Sequence, residues 1–345
     1  MNQLALSITK SDLPVIKSDL PEKWQQILSD LIIDPKELVQ LLELDESLFP
    51  ASAAALQNFP LKVPRTFAAL MEKGNWNDPL LRQVWPFREE EKQHPEFVTD
   101  PLAETQYNPA SGLLHKYRGR VLLTAVPHCA VHCRYCFRRH FDYSANSPSR
   151  SDWQQALGYI RLDESIEEVI LSGGDPLAAP DRQLKWLMDQ LNGISHINTL
   201  RIHTRFPVVI PQRITPELAA LLWDSALQIV LVLHCNHAQE LSPELVRNLS
   251  MLATNGIIIL NQSILLREIN DNSRILIDLS RALIAAKVLP YYLHLPDKVA
   301  GTRHYGTDAQ TGCSLISEMQ QCLPGYLVPK LVQEQAGAAA KTRLA

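Results

Sequence analysis

Three cysteines stand within eight positions of one another, Cys129, Cys133 and Cys136, in a Cys-x3-Cys-x2-Cys pattern. Thiolates are soft donors that suit iron. Three of them on a tight loop can hold three corners of a [4Fe-4S] cubane while the fourth iron stays open to another ligand. Aromatic residues, Tyr135 and Phe137, flank the last cysteine. A zinc site completed by His132 or His140 is the competing reading, and a ferredoxin would need a fourth cysteine nearby.

A second candidate is Ser172-Gly173-Gly174-Asp175-Pro176-Leu177. Glycines at the end of a strand let backbone groups approach a ligand with no Cβ in the way. Taken alone, a Gly-Gly step between a strand and a helix is as readily a plain turn.

Both motifs need a scaffold that brings loops together. From residue 121 onward, short apolar runs alternate with helix-like stretches, the pattern of repeated βα units and a parallel sheet. The strand candidates are Val121 to Val126, Glu168 to Leu171, Thr199 to His203, Ile229 to His234, Ile257 to Leu260 and Pro290 to His294. Each consecutive pair is separated by enough chain for a crossover helix. Six βα units predict an α/β fold, a partial (β/α)6 barrel, with its chemistry at the C-terminal ends of the strands. Residues 1–105 read as a helical N-terminal region: Glu22 to Glu46 carries apolar residues at Ile27, Leu31, Leu38, Leu41 and Leu42, interrupted by Pro35. The expected division is 1–105 helical, 106–328 barrel and 329–345 a C-terminal segment. The alanine-rich stretch from Gly337 to Ala340 has the composition of a disordered tail.

The 345 residues carry 33 Lys and Arg against 37 Asp and Glu, a net charge of -4 without long runs of one sign. Nothing there attracts a nucleic-acid backbone or an anionic membrane, so a small zwitterionic partner is expected. Met1 to Ser7 lacks a basic stretch leading into an apolar run, and no segment reaches the roughly 18 uninterrupted apolar residues of a membrane helix, so a cytoplasmic protein is expected. Three clustered cysteines fit metal ligation in a reducing compartment, with Cys235, Cys313 and Cys322 as packed thiols.

The cysteine loop resembles that of the radical S-adenosylmethionine superfamily. The resemblance implies that the open iron chelates the amino and carboxylate groups of S-adenosylmethionine, that an external electron donor drives its cleavage to a 5'-deoxyadenosyl radical, and that Gly173, Gly174 and Asp175 contact the methionine amino group. From about residue 95 onward the chain further resembles the lysine 2,3-aminomutases, through Leu114-His115-Lys116-Tyr117-Arg118-Gly119-Arg120-Val121, Cys136-Phe137-Arg138-Arg139, Pro207-Val208-Val209-Ile210-Pro211-Gln212-Arg213-Ile214, His234-Cys235-Asn236-His237 and Asn261-Gln262-Ser263.

That family resemblance implies pyridoxal 5'-phosphate held by a lysine. Counting from Val328-Pro329 through Glu334 to Gly337-Ala338-Ala339-Ala340-Lys341 reproduces the family spacing and points to Lys341, with Lys330 as fallback. Alanines stand where most of the family's glycines are. Lys116 and Arg120 match positions near the cofactor phosphate. Arg138 would take the α-carboxylate of L-lysine, and Asp297 with Glu334 its ε-ammonium, glutamate replacing aspartate at the second place. His234 and Asn236 could bond the adenosyl group, and His203 and His237 are placed near the same mouth, although each histidine could equally be structural. Without the resemblance Arg138 reads as an ordinary salt-bridge partner and the acids as surface charges. Asn272 stands where a structural zinc cysteine of longer relatives could fall, so no zinc is expected. The short length and helical front end most resemble the aminomutase that supplies (R)-β-lysine for modifying elongation factor P, which implies a functional link to that factor and its ligase. The alternatives are free lysine metabolism, an aminomutase for another amino acid, or a metal-bearing structural or electron-transfer protein.

Overall fold

The computed structural model describes residues 24–141 and 149–345. Glu22 and the Met1 to Ser7 start lie outside the described residues.

Two short strands near the front, β1 (Leu31–Ile32) and β2 (Val63–Pro64), pair antiparallel. The main sheet of the described residues has nine strands whose spatial order follows the chain: β3 (Leu113–Tyr117), β4 (Arg120–Val126), β5 (Glu168–Gly173), β6 (Thr199–Thr204), β7 (Gln228–His234), β8 (Ile258–Ile264), β9 (Leu289–His294), β10 (Lys330–Gln333) and β11 (Thr342–Arg343). β4 to β10 run parallel, while β3 and β11 close the two edges antiparallel. All six expected strands are present. Three more strands of this sheet were missed: β3, which forms a hairpin with β4 through Arg118-Gly119, and the β10 and β11 pair; the short β1 and β2 were missed as well.

Helices Arg150–Leu162, Asp181–Asn192, Pro216–Trp223, Pro243–Thr254, Ser273–Ala285 and Ala309–Cys322 make the crossovers. Five of them start at a side-chain cap that satisfies an otherwise orphaned N–H: Ser149, Thr215, Ser242, Asn272 and Asp308. Asn272 thus has a local duty, accepting a bond from the Arg274 N–H at 2.9 Å.

The segment with a disordered composition, Gly337 to Ala340, is the turn of a hairpin at the edge of the sheet. β11 pairs with β10 through Val332↔Arg343 and Gln333↔Thr342, and Leu331 donates to the Ala345 carbonyl at 3.1 Å. Alanine-rich composition lost to long-range pairing because β10 offers an unpaired edge and Gly337, at φ +78°, turns the chain back onto it.

The sheet is curved but not closed by backbone bonds. Glu334, one residue past β10, accepts bonds from Lys116 Nζ at 3.1 Å and Tyr117 Oη at 2.9 Å, both on β3. Opposite ends of the sheet are therefore joined by side chains. On β6, Arg201 and His203, with Thr204 at the strand end, line a cavity of about 390 Å³, while Leu200 and Ile202 are buried away from it.

The N-terminal region is a set of short helices, Trp24–Ser29, Pro35–Leu41, Ala53–Asn58 and Arg65–Ala68, rather than one long run. Asp34 caps the second, with Pro35 as its first residue. Its apolar side chains share one continuous core with the barrel, Trp24 meeting Phe206 edge-on at 5.4 Å. Among the described residues no helix is long and apolar enough to cross a membrane.

Candidate active site

The loop after β4 is held from outside by the N-terminal region. His132 and Arg134 donate backbone N–H bonds to the Lys62 and Gln83 carbonyls at 3.0 and 2.9 Å. Arg134 reaches Glu90 through Nε and Nη2 (2.8 and 2.5 Å), and Arg139 reaches the same carboxylate at 2.6 Å. All three side chains are almost wholly buried. One carboxylate between two guanidiniums, each with further carbonyl partners, makes a rigid frame around Cys133 and Cys136.

Cys129, Cys133 and Cys136 all line the central cavity, whereas His132 and His140 do not. His132 stacks on Phe59 and bonds the Pro60 carbonyl, and His140 bonds that of Ala300. Among the described residues no three His, Cys, Asp or Glu side chains are gathered for a single ion. Three soft thiol donors lining one cavity are the donor set an iron-sulfur cluster would use. Burial pushes all three thiols up, Cys136 to about 11.

The glycine pair serves this loop first. Gly173 has φ +107°, and a Cβ there would lie 2.5 Å from Thr124 Cγ2; one on Gly174 would lie 2.5 Å from the His128 carbonyl oxygen. Gly174 and Asp175 donate their N–H groups to the Val126 and His128 carbonyls at 3.0 and 2.9 Å. Asp175 accepts bonds from the Leu177, Arg205 and Phe206 N–H groups and from Thr204 Oγ1, between 2.6 and 3.0 Å. Its carboxylate ties the loops after β5 and β6 together, a use that the resemblance to S-adenosylmethionine contacts does not reveal.

The remaining site residues meet at the seam between β10 and β3. Lys341 and Glu334 line the cavity and form an ion pair, and Arg120 lines it with its guanidinium 4.8 Å from the Tyr117 ring centre. Lys330 does not line the cavity; it is exposed, 5.9 Å from the Tyr291 ring centre. Burial opposes ionisation of Glu334, but Lys341 and Lys116 outweigh it and hold its carboxyl down at about 2. Asp297 lines the same cavity and is pushed up to about 7, by burial and then by the charge of Glu334. Arg138 makes a two-point bond with Glu104, at 2.6 and 2.8 Å, and a third to Ser172 Oγ at 3.2 Å.

His203, His234 and His294 also line the cavity. His234 stacks on Tyr135 and bonds its hydroxyl at 3.2 Å. The Nε2 atoms of His203 and His294 are buried without a partner. Such atoms, with Lys341, Lys116 and Arg120, fit a polar, anionic group such as a pyridine phosphate. His237 instead caps the turn Ala238–Glu240, and the Asn236 amide is used internally, donating to Tyr135 Oη at 2.7 Å and Gln83 Oε1 at 3.0 Å. That buried amide is not a residue of the cavity wall. Glu104, Tyr117 and Arg205 were missed. Glu104 precedes the barrel in an irregular stretch with no local signal, while Tyr117 sits inside the Lys116 to Arg120 block and Arg205 lies two residues past the strand candidate Thr199 to His203.

The model of the radical SAM superfamily matches residues 123–248. A protein of Escherichia coli (strain K12) named L-lysine 2,3-aminomutase is 47% identical over 94% of this chain and 94% of its own. The protein of that name from Haemophilus influenzae is 46% identical, over 95% of this chain and 97% of its own. The one from Buchnera aphidicola subsp. Baizongia pistaciae is 43% identical, over 94% and 96%.

Proposed function

The chain belongs to the L-lysine 2,3-aminomutase family of radical S-adenosylmethionine enzymes, and from that premise we propose that it converts L-α-lysine to (R)-β-lysine by moving the amino group from C2 to C3. It is an isomerase, and its family implies a [4Fe-4S] cluster and S-adenosylmethionine. The observation that carries the substrate reading is a single cavity faced by the three thiols, Lys341, and the acids Asp297 and Glu334.

When bound, the cluster with S-adenosylmethionine supplies a 5'-deoxyadenosyl radical, and pyridoxal 5'-phosphate supplies a carrier for the migrating nitrogen and the unpaired electron. Cys129, Cys133 and Cys136 hold the cluster. Lys341 provides the amine that anchors the pyridoxal group, and Lys116 with Arg120 face its phosphate. Arg138 holds the substrate carboxylate, sharing or exchanging its present partner Glu104. Asp297 and Glu334 hold the ε-ammonium. Lys341 Nζ would leave Glu334 when the pyridoxal group binds, and Lys116 keeps the buried carboxylate paired until the substrate ammonium arrives. An aminomutase for glutamate would need a cation where these two acids stand.

Anaerobic incubation of the reconstituted protein with L-lysine, pyridoxal phosphate, S-adenosylmethionine and a strong reductant should yield β-lysine. An intact cluster without β-lysine sinks the assignment. We further propose that the product modifies elongation factor P, a reading supported by the sequence resemblance in length and helical front end. Loss of the β-lysyl mass increment on that factor in a strain lacking this chain is the expected result, whereas an unchanged mass assigns the product to free lysine metabolism.

A further inference from the structure

A desolvated polar network lies against the cysteine loop, and no step above uses it. Arg205, directly after β6, is 6% exposed. Its backbone N–H is held by Asp175. Nη1 donates to Cys133 Sγ at 3.3 Å, while Nη2 donates to Gln83 Oε1 at 2.8 Å and Glu240 Oε2 at 3.0 Å. Gln83 and Glu240 have no exposed surface. Gln83 Nε2 returns a bond to Glu240 Oε1 at 3.1 Å, and the Asn236 N–H adds another at 3.0 Å. The rings of Phe67 and Tyr135 lie 5.5 and 5.6 Å from the guanidinium. The group has one orientation, with its Nη1 end on the sulfur.

We propose that Arg205 is a positioning residue that sets the reduction potential of the iron-sulfur cluster through a fixed, charge-assisted hydrogen bond to the Cys133 sulfur. The inference rests on the family reading that Cys133 ligates iron. One electron from an external low-potential donor adds negative charge to the cluster and its thiolates. A donor on a ligand sulfur stabilises that reduced form more than the oxidised form, so the potential rises. Glu240 cancels the net charge of Arg205, yet the donor touches the sulfur while the carboxylate sits on the other arm. At short range in a low-dielectric setting the nearer end dominates. A buried ion pair of this kind adds little net stability in itself, so its placement on a ligand sulfur points to tuning rather than to holding the fold.

The test is an EPR-monitored redox titration of the reconstituted full-length protein, with iron and sulfide analysis on each sample. The informative variant is Arg205→Gln with Glu240→Gln, which removes both charges and leaves none buried alone. We expect full iron and sulfide and a midpoint shifted negative by at least a tenfold change in the reduction equilibrium, 59 mV for one electron. The parent midpoint in that variant, with its cluster intact, overturns the proposal. Should the double variant lose its cluster, Gln83→Ala loosens the same guanidinium. A smaller negative shift there supports the proposal, and an unchanged midpoint rejects it. Absence of iron from the parent protein would instead reject the family reading of Cys133.

Discussion

Lys341 and Glu334 face each other across the mouth of the β10–β11 hairpin, one step beyond the Gln333↔Thr342 pair, and form an ion pair at the seam where the two ends of the sheet meet. The seven-residue spacing between them is that of a loop whose ends must come together. Lys116 and Tyr117 bind the same carboxylate from β3, so the residue that pairs with Lys341 also spans the barrel's open side.

Lys341 faces the cavity and Lys330 does not, which separates the two candidate anchors. Lys341→Ala should abolish the Schiff-base absorbance of bound pyridoxal phosphate while iron content stays at the parent level. Lys330→Ala should leave both unchanged. Covalent cofactor in the Lys341→Ala protein would overturn the assignment.

Glu334 has a depressed pKa, so the stability it contributes is present above about pH 4.5 and is lost as pH falls through about 2. Glu334→Gln should remove that part of the acid dependence, seen as a flatter unfolding free energy between pH 4.5 and 2. It should also raise the KM for lysine at least tenfold. Parent values for both would contradict the paired role.

Asp297 behaves in the opposite sense. With its carboxyl raised from 3.8 to about 7, it binds a proton in the folded state that the unfolded chain releases, so it favours folding less as pH rises from 4 to 7. The substrate ammonium, with an ordinary value near 10.4, stays charged throughout. The KM for lysine should therefore fall as pH rises from 6 to 8, and Asp297→Asn should flatten that profile. Steady-state kinetics on the reconstituted enzyme decides it.

Glu90→Gln leaves Arg134 and Arg139 buried with no anion between them. Breaking a buried ionic cluster by removing one partner costs about 3–5 kcal/mol, so denaturant unfolding should show a loss of that size. Because Glu90 frames the cysteine loop, reconstitution should also load less iron. A variant with parent stability would show that the frame is not needed.

Gly174→Ala places a methyl 2.5 Å from the His128 carbonyl oxygen and 2.6 Å from its nitrogen, both backbone atoms that cannot swing aside. The cost should be about 1–3 kcal/mol, as for other overpacked sites, with lower iron content on reconstitution. Gly158→Ala, where a Cβ meets nothing within 4 Å, is the control that should do neither.

Much of the frame was legible because it is written in local periodicity. Val121 to Val126 or Ile229 to His234 reads as a buried parallel strand without knowledge of its neighbours, and a helix start such as Ser242-Pro243 carries its own cap. β10 and β11 were not legible, since Lys330 to Gln333 is four residues long and Thr342–Arg343 only two. Strands that short form only where an edge is already waiting for them.

By itself the sequence determined which atoms could do chemistry: the cysteine spacing points to a cluster loop, and the ordered blocks from Leu114 to Lys341 point to the family, because both depend on residue identity at short or ordered separations. Tertiary structure decided which of those atoms are spare. It committed Asp175 and Asn236 to internal hydrogen bonds, placed Glu104 on Arg138, put Arg205 on Cys133, and carried the alanine-rich end of the chain back across the sheet to bring Lys341 to Glu334. A side chain's partners across hundreds of positions are set by the curvature of the sheet and by burial, which forces each polar atom to find a match, and no local pattern encodes that.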